Sequence, residues 1–269
     1  MRLPLSLAIC AAIFVQAPPA SSKVWIGHDA EFEAFLRTAR IERTEGFKTG
    51  VTGPRHAFFA PGGLAGSAVV KALPPGRRDG FFESYKSEIA AYKMDRLLQM
   101  DMVPPTVERR IDGEPASVQL FVEHARTLTE IRAQKARDPD VERWNRQMHR
   151  FQVFADLVGD IDPNAGNWLF DPAWNFIKVD CSRCFTDTIK EPFDPARAIK
   201  QIDRPFFDRL KALDRAVVAR EIGDLLTENG ALNALFRRRD SIVKAFEEMA
   251  RKTGEAKVFE PWPDLQSRP

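Results

Sequence analysis

Two carboxylates and an amide bracket a pair of short apolar runs in the middle of the chain. Asp162 and Asn167 stand before Trp168-Leu169-Phe170, and Asp180 follows Phe176-Ile177-Lys178-Val179. Asp171-Pro172-Ala173-Trp174 between the runs is turn chemistry, because Asp bonds to nearby backbone and Pro presets φ. The pattern predicts a hairpin, and a hairpin returns the start of its first strand to the end of its second. Asp162, Asn167 and Asp180 are therefore expected at one end of it. Oxygen donors of this kind suit a hard divalent cation, which takes one or two carboxylates together with substrate phosphates. A carboxylate outside the metal shell can orient a hydroxyl or accept its proton. A plain polar loop is the competing reading, since Asp and Asn are common turn residues.

Two upstream residues bear on the choice. Lys71 ends the β-branched run Ala-Val-Val-Lys, where a strand-end lysine facing water is the ordinary alternative. Residues 81–100 read as a helix, with Phe82, Tyr85, Ile89, Tyr92 and Leu97 near one stripe. Glu88 lies beside that stripe, seventeen positions after Lys71, and Glu83 competes with it as a partner for the lysine.

In this order the residues resemble the protein-kinase-like superfamily in its atypical branches, the phosphoinositide-kinase-like, HipA-like and Fam20-like sequences. The spacing D-x-x-x-x-N from Asp162 to Asn167 is similar to a kinase catalytic loop, and Asp180 to the metal-binding Asp that follows it. Lys71 is similar to the strand lysine of V-A-I-K, and Glu88 to its helical partner. The resemblance implies an α+β, two-lobed protein-kinase-like fold, with a small antiparallel-sheet N-lobe over residues 42–123. A larger, mainly helical C-lobe would cover 124–269. It also implies ATP binding with Mg²⁺ or Mn²⁺ at Asn167 and Asp180, phosphates positioned by Lys71 and Glu88, and Asp162 as the catalytic residue orienting the acceptor hydroxyl.

There are departures. Gly159-Asp160-Ile161 stands where HRD-like residues would be, so Asp160 competes with Asp162 as the base. Position 164 is Asn rather than Lys, and Asp180-Cys181-Ser182 replaces DFG. Phosphoryl transfer is the leading function. A pseudokinase-type nucleotide-binding module and a CxxC thiol protein are the alternatives. Transfer of AMP stays open, and the acceptor, protein or small molecule, is not identified.

The remaining sequence sets bounds. Forty Lys and Arg against 38 Asp and Glu give no warrant for a nucleic-acid partner. Arg2, the apolar run 3–15 and Gln-Ala-Pro-Pro-Ala-Ser-Ser have the three regions of a signal peptide over residues 1–22, with cleavage after Ala20 or Ser22. Export to the periplasm or medium is then expected, with no membrane span left after cleavage. Residues 23–41 form an N-terminal helical extension, its helix at 29–40 capped by Asp29. Cys181 and Cys184 are free thiols or a local disulfide on this reading, and the four His show no ligand spacing.

Turn-punctuated antiparallel strands are expected around 57–60 and 68–73, and Gly50-Val51-Thr52-Gly53 is a weak candidate for approach to phosphates. A hairpin is expected at 107–122, its exit at Glu123 and His124 marking the hinge. An amphipathic helix at 138–158 leads into the central hairpin. Helices follow at 206–211, 215–228 and 231–252, with Arg237-Arg238-Arg239 read as a solvated turn of the last. A polar stretch through Asp194-Pro195 and a loosely ordered tail from 261 complete the reading.

Overall fold

The computed structural model describes residues 21–47, 53–187 and 199–261. Residues 1–20 of the expected signal segment, positions 50–52, Asp194-Pro195 and the tail from 262 lie outside the described residues. The first helix is α1 (Asp29–Thr38). His28, not Asp29, occupies its N-cap position, which corrects the sequence reading. Asp29 falls in the first turn, buried, with Oδ2 2.6 Å from the Arg96 guanidinium.

The chain continues through β1 (Ile41–Gly46), β2 (Arg55–Phe59), β3 (Ser67–Lys71), β4 (Gly76–Arg78), β5 (Phe81–Glu83), α2 (Tyr85–Leu98), β6 (Thr106–Ile111) and β7 (Glu114–Leu120). Five strands make one sheet in the order β1-β2-β3-β7-β6, antiparallel throughout. Asp112 and Gly113 join β6 to β7, both with positive φ, as a tight hairpin turn requires. The inner face of the sheet, with Phe59, Val70, Val118 and Leu120, closes on Trp25, Phe32 and Leu36 to form the smaller core.

The helix expected from residue 81 starts at Tyr85. Asp79 and Gly80, at φ 48° and 84°, turn β4 back into β5, so Phe81 and Phe82 pair across a hairpin. Ser84 then caps α2, its hydroxyl accepting from Lys86 N at 3.0 Å. The apolar spacing before Tyr85 belongs to this hairpin strand, where Phe81 is exposed and Phe82 half-buried. Ala90, Ala91, Met94 and Leu98 enter the larger core, which ties α2 to the second lobe.

That lobe contains β8 (Arg126–Thr127), α3 (Leu128–Ala133), α4 (Val141–Val158), a 3-10 turn (Ala165–Asn167), β9 (Trp168–Phe170) and β10 (Phe176–Lys178). After the undescribed stretch come β11 (Ile202–Asp203), α5 (Arg204–Lys211), α6 (Arg215–Ile222), a 3-10 turn (Gly223–Leu225), α7 (Ala231–Thr253), α8 (Glu255–Val258) and β12 (Phe259–Glu260). Phe151, Phe154, Phe206, Phe207 and Phe246 form much of its core. Each such ring contributes on the order of 1.5–3 kcal/mol by burial.

The solvated reading of residues 237–239 fails at Arg238. It is buried, donating Nε to Leu157 O at 2.8 Å and Nη1 to Thr186 O at 3.1 Å. Those two carbonyls lie on either side of the central hairpin in sequence, and the guanidinium joins them. The architecture is α+β and two-lobed. Among the described residues, no helix is long and apolar enough to cross a membrane.

Candidate active site

The hairpin of β9 and β10 sits between the two cores. Its register pairs Phe176 with Phe170, Ile177 with Leu169 and Lys178 with Trp168. Alternation does the sorting: Phe170 and Phe176 enter the larger core, while Ile177 joins the smaller one with Leu169 and Val179 packed against it. One further bond, Val179 N to Asn167 O at 3.2 Å, extends the pairing past the strand ends. Asn167 and Asp180 thereby emerge together, as the turn chemistry of 171–174 implied.

Lys71, at the end of β3, is buried rather than facing water. Its ammonium lies 2.6 Å from Glu88 Oε1 and 2.6 Å from Asp180 Oδ1. Glu88 also accepts from Cys181 N at 2.9 Å with its other oxygen, so one carboxylate holds both the strand lysine and the chain just after Asp180. Glu83 does not compete. It pairs with Arg183, its Oε1 2.8 Å from Nε and 2.7 Å from Nη2.

Burial opposes charge on Lys71, but the two carboxylates outweigh it and hold the ammonium above its ordinary pKa. Burial alone would raise Asp180, yet Lys71 dominates and brings it below the usual carboxylate range. Burial pushes Glu88 up, against the pull of Lys71.

Asp180 has φ +60°, in the left-handed region that Asp tolerates better than most residues. Its conformation is fixed on both sides. Ser182 Oγ donates to Oδ1 at 3.0 Å, and Lys178 Nζ donates to the backbone carbonyl at 2.9 Å. Lys178 is itself buried and forms an ion pair with Asp160 Oδ2 at 3.0 Å. Of the two candidate bases, Asp160 is thus committed to a buried cation. The Asp162 side chain is 44% exposed and meets Arg183 Nη1 at 3.0 Å through Oδ2.

The donor set fits a hard cation. Among the described residues nothing donates to Asp180 Oδ2, and the Asn167 side-chain amide makes no hydrogen bond. Cys181 and Cys184 form a disulfide, both buried. With Asp160 they make the only cluster of His, Cys, Asp and Glu ligand atoms among the described residues. Because the sulfurs are bonded to each other, it offers no thiolate to a metal. At the expected hinge, Phe121 N donates to Ser67 O at 3.2 Å and Ser67 Oγ to Glu123 Oε1 at 3.3 Å, with His124 at φ 60°.

Sequence reasoning did not single out Lys178, Ser182 or Arg183 for roles. The signal for Lys178 was the one that drew attention to Lys71, a lysine closing a buried apolar strand. Arg183 and Ser182 carried no local signal beyond their place between two cysteines.

The fold is protein-kinase-like, and it resembles that of Fam20 kinases. The chain superposes on the Golgi casein kinase crystallised with Mn and ADP, with TM-score 0.62 and 16% identity over 89% of this chain and 81% of that one. A Fam20 protein of hydra, solved with sugar, gives TM-score 0.63 and 14% identity over 86% and 92%. The proinflammatory kinase CtkA of Helicobacter pylori gives TM-score 0.56 and 13% identity over 81% and 98%. No protein-family model matches the sequence, and comparison with curated proteins finds no match. At these identities the likeness is one of fold.

Proposed function

We propose that this chain is an exported kinase-like phosphotransferase that binds ATP with a divalent cation and passes a phosphoryl group to a hydroxyl acceptor. The observation that carries this reading is the double ion pair of Lys71 with Glu88 and Asp180, set between the lobes of a kinase-like fold, with Asp162 joined to Arg183 three residues after Asp180. A lysine fixed by two carboxylates is a preorganised site for phosphate oxygens, since no rotamer search precedes binding. Asp180 and Asn167 would hold Mg²⁺ or Mn²⁺, which when bound neutralises phosphate charge. Lys71 would orient the triphosphate, and Glu88 would hold Lys71 and the backbone at Cys181 in register. Asp162 would accept the hydrogen bond of the acceptor hydroxyl and then its proton.

Export rests on the signal-like sequence of residues 1–22, and the Golgi association of one structural neighbour's name fits it. The buried disulfide supports a structural rather than a catalytic role for Cys181 and Cys184. The test is incubation of the purified mature protein with γ-labelled ATP and Mg²⁺ or Mn²⁺. Label should move to protein, water or an added acceptor, and Asp162→Ala should stop it while ADP–Mn²⁺ still binds. Binding with no transfer in the unmodified protein would establish the pseudokinase reading instead.

A further inference from the structure

Arg183 is the residue at this site whose contacts the proposed chemistry leaves unexplained. It lies inside the Cys181–Cys184 disulfide, and Ser182 beside it accepts Ser84 N at 2.9 Å through its carbonyl. The guanidinium reaches two carboxylates from different lobes. Nη1 meets Asp162 Oδ2 at 3.0 Å, in the loop that follows α4. Nε and Nη2 meet Glu83 Oε1 at 2.8 and 2.7 Å, on the strand that leads directly into the cap of α2. The Phe81 ring covers the guanidinium at 4.6 Å.

An ordinary surface ion pair is worth little, because solvent screens it and ordering the side chains costs entropy. The Glu83 half of this arrangement differs in burial, while the Asp162 half keeps a carboxylate 44% exposed. The Glu83 side chain is 5% exposed and that of Arg183 18%. A planar fork spanning two carboxylates also adds direction to charge. The consequence falls on Asp162. Its Oδ2 is held, while among the described residues nothing donates to Oδ1. A carboxylate held by one oxygen and free at the other presents a single acceptor to an incoming hydroxyl. Position 164, two residues after Asp162, is Asn, so it supplies no cation there.

We propose that Arg183 is a positioning residue for the acceptor side of the reaction: it fixes the Asp162 carboxylate for the acceptor hydroxyl and ties that geometry, through Glu83, to the start of α2. The proposal rests on the phosphotransferase reading above and adds that the base depends on a contact between lobes.

The experiment measures single-turnover transfer from γ-labelled ATP with Mn²⁺, alongside ADP–Mn²⁺ affinity by calorimetry. The proteins are the unmodified chain, Arg183→Gln, Arg183→Lys, Glu83→Gln, Asp162→Asn and the double variant Arg183→Gln/Asp162→Asn. Arg183→Gln should slow transfer by about 10²-fold, the scale of a misplaced reacting group, with ADP–Mn²⁺ affinity retained. Arg183→Lys, which reaches one carboxylate at a time, should recover part of the rate. Glu83→Gln should slow transfer by roughly tenfold, as loss of a supporting contact does. The double variant should be no slower than Asp162→Asn alone, because both changes disable one group.

The proposal is overturned if Arg183→Gln transfers at nearly the unmodified rate, if its loss comes with loss of ADP–Mn²⁺ binding, or if the two changes are additive. Should Arg183→Gln fold poorly, the Lys and Glu83 variants decide on the same criteria. An unmodified chain that neither binds ADP–Mn²⁺ nor transfers label overturns the phosphotransferase reading itself, and this proposal with it. A chain that transfers normally without Arg183 overturns this proposal alone.

Discussion

Lys71 Nζ lies 2.6 Å from Asp180 Oδ1, although the two residues are 109 positions apart in the chain. The contact joins the last residue of β3 to the residue just beyond β10, and Glu88 completes it from α2. Removing the lysine should therefore cost stability as well as ligand affinity. Lys71→Met leaves Glu88 buried without its cation, and about 3 kcal/mol should be lost in urea unfolding. Adding Glu88→Gln should return part of that loss, because a neutral amide is cheaper to bury. Additive losses in the double variant would show that the ion pair is not the source.

The cation reading makes a separate demand. ADP with Mn²⁺ at about 100 times its dissociation constant should stabilise the unmodified chain by about 2.7 kcal/mol. Asp180→Ala should abolish that gain, and Asn167→Ala should weaken it by roughly tenfold in affinity. Thermal denaturation with and without EDTA measures both. Stabilisation by ADP that ignores EDTA would remove Asn167 and Asp180 from the proposed metal shell.

The disulfide closes the chain between Asp180 and Phe185, where Ser182 and Arg183 hold the carboxylates of Asp180 and Asp162. Reduction with dithiothreitol, or Cys181→Ser with Cys184→Ser, should lower transfer by about tenfold through loss of that positioning. Asp162→Ala should remain inactive in either redox state. Dithiothreitol-sensitive turnover surviving in Asp162→Ala would instead mark the thiols as the chemistry.

Gly159 ends α4 at φ +63°, and a Cβ built there would lie 2.8 Å from Arg238 Cζ. Arg238 cannot easily retreat, since it is anchored on Leu157 and Thr186 carbonyls. Gly159→Ala combines an unfavourable φ with overpacking and should cost about 1–3 kcal/mol, read from the urea midpoint. A variant as stable as the unmodified chain would mean that Arg238 is not held in place.

Lys23 offers a test by pH. It is buried, with its ammonium donating to Asp101 O at 2.6 Å. Burial brings its pKa down to about 8, against the attraction of Asp95 and Asp101. In the unfolded chain the value is about 10.4. Between these values the unfolded chain carries the proton and the folded chain does not, so this group makes stability rise with pH across that window. The gain is up to about 3 kcal/mol. Urea unfolding from pH 7 to 10 should show the unmodified chain gaining on Lys23→Met, and a constant difference would dispose of the assignment.

Local features were readable in advance. The hairpin followed from turn residues at 171–174, the β6–β7 connection from Asp112-Gly113, and α4 from its aromatic spacing. The resemblance pointed to Glu88 rather than Glu83 as the partner of Lys71, and the ion pair bears this out. That Asp160, and not Asp162, would pair with the buried ammonium of Lys178 was not readable. Arg238 read as solvent-facing because a run of three cations usually is, and only packing of α7 beneath the end of α4 reversed that.

By itself the sequence determined which groups exist and which short elements carry them. Helical and strand periodicity, caps and tight turns depend on residues a few positions apart. Which cation meets which carboxylate was decided by tertiary structure alone. Lys71, Glu88 and Asp180 meet because two apolar cores close on opposite faces of one hairpin. A contact across 109 positions is set by how those cores pack, and no local preference encodes it.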